Sequence, residues 1–389
     1  MYTRDADWVE EYDFLTVLYP RQNELLSSWL TRMAHAHGMG LSQFISLFIR
    51  HNGSALARTD LDFKFFTDFL EVLVQKSGLI PAVISGLSLR SEEGYLYTCD
   101  NCFYPPKHVR KPIDKRSHYG LMYCPQCLEE DPHPYFRKQW RYLFYTACPK
   151  HSVLLSDRCW RCYAPIKLSK LTPADQLTTC HKCKQDLRLT KSKKIPEELH
   201  DGLDAIRWFE QGLNRGYFEV NNEKVNSLVI FHVYTILRSI LKSNRNIQLP
   251  DFLHIKSYQK IIVNLNHYNS KKQEAIYRSF YLNDMVYFLL QNFPHNLSNF
   301  IDINHFTHRD FVHGFKNTPF WYQNILDEIV PMQNKVGRKI SENEIISAIR
   351  YLQEKGIHVT QKNITKILCS NFAMHLKHRL LYTSLLNNV

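Results

Sequence analysis

The sequence predicts a mainly α protein with a small zinc-ribbon-like α+β module set into it. Three observations point there. Glycine is scarce, at 13 of 389 residues, which disfavours a turn-rich β architecture. Apolar residues recur at helical spacing on both sides of residues 95–190. Five close Cys/His pairs are confined to that interval. The resulting layout is a helical part over 17–90, of helix-turn-helix type in one reading. Tandem zinc sites follow over 95–190, then a helical domain over 196–335 and a helix-turn-helix-like unit over 338–389.

In the first part Leu26, Trp29, Leu30 and Met33 fall at i, i+3, i+4 and i+7, with Gly38 placed to end the helix. Ser42 would cap a second helix carrying Phe44, Leu47 and Phe48, ended by Gly53. Phe65, Phe66, Phe69, Leu70 and Leu73 would line a third, stopping at Gly78. Beyond the cysteines, Pro196 with Glu197 and Glu198 reads as a helix first turn. Stretches 226–242 and 275–292 are apolar at helical spacing. In the last unit Ile345, Ile346, Ile349 and Leu352 share a face closed by Gly356, and Thr360 would cap a short helix through Leu368. A further basic helix would carry His375, Lys377, His378 and Arg379. Helix, turn and basic helix is the order of a DNA-reading unit, and also of an ordinary helical hairpin.

The five pairs are Cys99/Cys102, Cys124/Cys127, Cys148/His151, Cys159/Cys162 and Cys180/Cys183. Two intervening residues let one tight turn aim both side chains at a single ion, and two such turns complete the tetrahedron that structural zinc prefers. Sequential pairing gives Cys124, Cys127, Cys148 and His151 as one site and Cys159, Cys162, Cys180 and Cys183 as the other. Cross-bracing would exchange the pairs, but the sequential scheme closes shorter loops at lower entropic cost. Two ions with four protein ligands each leave no position for water, so the sites should be structural. Cys99/Cys102 stands apart. It could recruit His108 or His118 for a third ion, or be two buried thiols. Cys369 reads as a core residue and His181 as a bystander.

The formal charge of +12 implies a polyanionic partner, usually nucleic acid, although scattered surface lysines would give the same count. Candidate nucleic-acid contacts are Lys107, Arg110 and Lys111, with Lys362, Lys366, Lys377 and Arg379 in the last unit. The opening MYTRDADWVEEYDF has no apolar core of a signal peptide, and no apolar run approaches about 18 residues, so a cytoplasmic, nucleoid-associated protein with no membrane contact is expected. In that reducing setting the cysteines read as ligands rather than disulfides. There is no phosphate-binding Gly-Lys loop, no Gly-x-Ser-x-Gly elbow and no His-x-Glu among the 19 histidines. The acids Glu129, Glu130 and Asp131 could hold Mg²⁺, as in a nuclease, but a solvated turn suits them better. No enzyme is expected.

Tyr123-Cys124-Pro125-Gln126-Cys127-Leu128-Glu129-Glu130-Asp131 is followed by Tyr135-Phe136-Arg137, Trp140-Arg141, Cys148-Pro149-Lys150-His151, Leu154-Leu155, Cys159 and Cys162. This run resembles the TniQ/TnsD family of transposon target-selection proteins. Pro20, Glu24, Leu25, Ser28, Trp29, Arg32 and Ala34 match that family's opening motif, with Leu26 and Ser27 displaced by one. The resemblance covers about residues 17–190 and departs in the extra Cys99/Cys102 pair and in Trp160 where the family usually has Pro. It implies a non-catalytic adaptor that binds target DNA, a CRISPR guide-RNA effector complex, or both, and recruits an AAA+ transposition ATPase. A homodimer is open. It also implies that Trp140 is core, and that Arg137 and Arg141 pair with Glu129–Asp131 or contact phosphate. A zinc-containing, sequence-specific transcription regulator would share the charge and the helix-turn-helix order without needing an ATPase.

Overall fold

Glu24, Ser28 and Arg32 are spaced four apart, which stacks them on one stripe at the start of a helix. In the computed structural model that helix is α1 (Leu26–Ala36). Its opposite face buries Leu26, Trp29, Leu30 and Met33. The model describes residues 13–49, 60–63, 68–98, 106–110, 121–195, 201–243, 275–312, 319–330 and 341–368. The chain divides into two compact units, residues 1–304 with 314–322, and residues 305–313 with 323–389.

The first unit opens with α1, α2 (Leu41–Phe48), α3 (Phe69–Ser77) and α4 (Pro81–Leu87). Trp29, Phe44, Phe48, Phe69, Leu73 and Ile84 fill one core between them. Gly38 and Gly78 take φ of 66° and 65° just beyond α1 and α3, the left-handed conformation that ends a helix cheaply only with glycine. Ser42 does not cap α2: the cap position is Gly40 and Ser42 lies inside the helix.

The middle of this unit has little regular structure. A short α5 (Pro125–Glu130) precedes a three-stranded antiparallel sheet of β1 (Ala147–Cys148), β2 (Val153–Leu154) and β3 (Lys193–Lys194). Then come α6 (Asp201–Arg215), β4 (Tyr217–Val220), β5 (Glu223–Asn226), α7 (Ser227–Ser243), α8 (Ala275–Leu290) and α9 (His295–Asn304). The β4–β5 hairpin is an addition to the helical domain expected over 196–335. Asn221 and Asn222 both adopt positive φ, 52° and 63°, the turn whose twist matches paired strands.

Helices α6–α8 pack on the cysteine-rich middle. Phe144 lies 5.5 Å from both Phe209 of α6 and Phe231 of α7, ring centroid to centroid. Asn283 of α8 donates to the carbonyls of Leu143 and Phe144 at 3.2 and 3.1 Å and accepts from the Tyr234 hydroxyl at 2.6 Å. His108 completes the joint. Its Nε2 lies 2.9 Å from the Phe231 carbonyl, to which it donates, and 2.6 Å from Thr235 Oγ1. Nδ1 is buried with no partner, and burial holds the ring at about 4, well below an ordinary histidine. The sign follows. Below pH 6.5 the unfolded chain gains a proton that the folded chain refuses until about pH 4, so stability falls as pH drops through that window. The full effect is about 3 kcal/mol, of which about 2 is lost between pH 7 and pH 5. His108→Gln keeps a donor to Phe231 but cannot titrate. Urea midpoints at pH 7 and pH 5 should separate less for this variant than for the wild type. An equal separation would show that His108 does not carry the effect.

The second unit holds α10 (His308–Val312), part of α11 (Phe320–Ile329), α12 (Glu342–Glu354) and α13 (Gln361–Leu368). α12 opens with a capping box: the Ser341 hydroxyl accepts from Glu344 N–H at 3.3 Å, and Glu344 accepts from Ser341 N–H at 2.9 Å. Ile345, Ala348, Ile349 and Leu352 pack against Ile364 of α13. Thr360 caps α13, its hydroxyl accepting from Asn363 N–H at 3.2 Å. No helix among the described residues is long and apolar enough to cross a membrane.

Candidate metal centres

Four donor atoms from Cys124, Cys127, Cys148 and His151 lie within 4.8 Å of one another, and so do four from Cys159, Cys162, Cys180 and Cys183. The grouping is sequential, not cross-braced. In the first cluster the distances to His151 Nδ1 are 3.4 Å from Cys124, 3.3 Å from Cys127 and 3.5 Å from Cys148, and Cys127 and Cys148 sulfurs are 3.6 Å apart. In the second, Cys159–Cys183 and Cys162–Cys180 are each 3.6 Å apart. A tetrahedron with Zn–S bonds of about 2.3 Å has edges of about 3.8 Å, so both clusters have the dimensions of such a site.

Three of the four pairs use one local device. The N–H of Ser152 donates to the Cys148 carbonyl, that of Tyr163 to Cys159, and that of Lys184 to Cys180, at 2.8–3.0 Å. Each donor stands four residues on, in the left-handed conformation, with φ of 53°, 56° and 61°. The reversal swings the second ligand back toward the first. None of the three is glycine, so nothing in the sequence marks them, and each holds an unfavourable backbone because the knuckle demands it. The second cluster repeats the device fully: Cys159 N–H donates to Ala164 and Cys180 N–H to Gln185. The Cys124/Cys127 pair differs. Pro125 begins α5, so these two ligands sit on the first turn of a helix.

The donor chemistry calls for a cation. Hydrogen bonds from Cys124 and Cys127 hold Cys148 down at about 2, while the hydrogen bond with Cys124, then that with Cys148, pushes the Cys127 thiol far up. Burial pushes Cys159 up to about 12. A cluster of this kind cannot ionise fully on its own; a divalent ion among the sulfurs would remove that obstacle. Three thiols with an imidazole, and four thiols, are donor sets that suit Zn²⁺. Such an ion would supply cross-linking, since every tetrahedral position has a protein donor. Outside the first cluster, His151 Nε2 lies 2.8 Å from Glu130 Oε1, oblique to the ring N–H, and Lys150 pairs with the same carboxylate. Lys150, then His151, holds the Glu130 carboxyl below its usual range.

The first cluster is tied to α1. Leu25 N–H donates to the Phe136 carbonyl at 2.9 Å, Phe136 N–H to Ser28 Oγ at 3.0 Å, and Lys138 N–H to the Asn23 carbonyl at 2.7 Å. The fully buried Glu24 accepts from Ser28 Oγ and from both Nε and Nη2 of Arg32. The opening motif and the Cys/His motif are therefore two halves of one structure.

Other candidate residues fall variously. Arg137 pairs with Asp131 at 2.8 Å and lies over the Tyr135 and Trp140 rings. Arg141 instead reaches back to Asp60 and Asp62, at 2.7 and 2.8 Å. Trp140 is fully buried. Arg110 turns inward, its guanidinium donating to the carbonyls of Tyr142, Leu143 and Tyr145 at 2.6–2.9 Å, which makes it a brace rather than a phosphate contact. Lys107 is exposed. Lys362 and Lys366 fall on α13. Cys99, Cys102, Lys111, Lys377 and Arg379 lie outside the described residues, as do His118, Gly53, Pro196 and Cys369.

No curated protein matches the chain. Residues 15–155 match the TniQ family, a span that begins before α1 and ends just after the β1–β2 hairpin bearing Cys148 and His151. Residues 15–155 thus carry a TniQ domain, which spans a little over a third of the chain.

Proposed function

We propose that this protein is a zinc-stabilised, non-catalytic adaptor that selects the target site for transposition and recruits an AAA+ ATPase to it. The observation that carries the reading is the TniQ match over residues 15–155, which coincides with the α1-to-first-cluster structure. Both metal centres hold structural Zn²⁺ in this reading. Cys124, Cys127, Cys148 and His151 bind one ion, and Cys159, Cys162, Cys180 and Cys183 the other. The target is met in one of two ways, by direct reading of duplex DNA as in a TnsD-like protein, or by docking on a CRISPR guide-RNA complex. The helix order of α12 and α13, followed in sequence by Lys377 and Arg379, favours DNA contact. The site of action is then the nucleoid.

The test is reconstitution with the transposon's own ATPase and transposase. Omitting this protein should drop insertion at the chosen site to background, and the purified protein should co-elute with the ATPase. Site-specific insertion that persists without it, or no association with the ATPase under any salt condition, would overturn the adaptor role.

A further inference from the structure

Residues 156–195, which lie beyond the TniQ match, carry ten basic residues against three acidic ones. That is a net +7 in 40 residues, more than half of the chain's +12. All three acids are already neutralised within the module: Asp157 by Arg158 at 2.6 Å, Asp175 by Lys184 at 2.7 Å, and Asp186 by Arg188 at 2.6 Å. Even the charge of about −2 on a Cys₄–Zn²⁺ centre leaves the module strongly positive.

The excess is not spread evenly. His181 and Lys182 stand inside the Cys180/Cys183 knuckle, and Lys184 follows it directly. Lys167 and His181 line a shallow crevice with Ile166, Leu168, Leu171 and Thr179, while Lys170 and Lys182 stand exposed. Lys167, Lys170 and Lys182 have no acidic partner among the described residues. On the other knuckle Trp160 and Tyr163 are 37% and 53% exposed. Both knuckles converge on one cluster.

We propose that the second zinc module is a binding surface for the phosphate backbone of duplex DNA, with Lys167, Lys170 and Lys182 as the phosphate contacts. Lysine is a point charge without the planar fork of arginine, so these contacts position the duplex and do not read its sequence. The choice of duplex DNA rests on the target-selecting role proposed above; the polyanion itself follows from the charge.

The experiment uses the full-length, zinc-loaded protein and a 30-base-pair duplex of arbitrary sequence (length about 30, ample for the module). Anisotropy titrations across a salt series give the slope of log affinity against log salt. Changing Lys167, Lys170 and Lys182 to Gln should weaken binding about tenfold or more at moderate salt and reduce the slope by up to about 2.7. Changing Lys76, Lys224 and Lys242 to Gln removes the same charge elsewhere and should leave the slope near the wild-type value. Zinc content measured on each variant keeps a folding defect from passing as a contact. An unchanged slope in the first variant would overturn this surface while leaving ATPase recruitment untouched. A lysine-dependent slope seen with single-stranded RNA but not with duplex would overturn the assignment to DNA. Loss of ATPase association with the slope effect intact would instead count against the adaptor role alone.

Discussion

Replacing Cys148 by Ser is expected to unfold the TniQ domain, while replacing Cys180 by Ser removes only the module after it. Cys148 ends β1 and is buried among Cys127, Cys124 and His151. Around it there is little regular structure to hold the chain: two-residue strands and a six-residue helix. Apparent binding free energies of about 10–16 kcal/mol for structural zinc match or exceed the whole stability of an ordinary domain, about 5–15 kcal/mol. The first ion's loss should therefore propagate into α1, which is hydrogen-bonded to residues 136–138. The two clusters share no donor, so each ligand variant should keep one ion per chain. Zinc analysis with limited proteolysis reads both effects. New cleavage should spread through 121–155 and toward α1 in C148S, but stay within 156–195 in C180S. A C148S protein that melts like the wild type with both ions bound would refute the structural role.

How much of this was legible in the sequence depends on range. The two-residue spacing of each Cys/His pair is a local property, and local geometry alone brings two ligands to one ion. Shorter loop closure then selects the sequential grouping. The helix faces of α1 and α12 were legible for the same reason, since apolar periodicity is set within a few turns. The Asn221–Asn222 turn is equally local, with alternating Tyr217-Phe218-Glu219-Val220 before it, but so short a pattern is outweighed by the helical periodicity on either side. The left-handed residues Ser152, Tyr163 and Lys184 carry no glycine to mark them; the knuckle imposes their conformation. Long-range partners are a different matter. Nothing in spacing sends Arg141 past the nearby Glu129–Asp131 to aspartates about 80 positions earlier, or turns Arg110 in a basic run toward three carbonyls. Those choices are made by what the assembled core leaves unpaired.

Arg141 is where that assembly is most exposed to a single substitution. Its guanidinium has no solvent access; it donates to Asp60 at 2.7 and 3.1 Å, to Asp62 at 2.8 Å and to the Arg110 carbonyl at 2.8 Å. Asp62 also accepts from the N–H and hydroxyl of Ser27 on α1, at 2.8 and 3.1 Å, so one network joins the helical part to the segment between the first cluster's two ligand pairs. Burial pushes the Asp62 carboxyl up to about 6 even with Arg141 beside it. Arg141→Met fills similar space but strands two carboxylates in the interior, which should cost about 3–5 kcal/mol. With the guanidinium gone, Asp62 rises further. A carboxyl raised in the folded state costs stability as pH climbs through its folded value. The deficit of R141M should therefore be largest at pH 8 and shrink toward pH 6. Changing Asp60 and Asp62 to Asn in the same chain removes the stranded charge and should restore much of the loss. Denaturant unfolding of the three proteins at both pH values measures this. A deficit below about 1 kcal/mol for R141M, or one that does not depend on pH, would mean that the triad is solvated and holds nothing together.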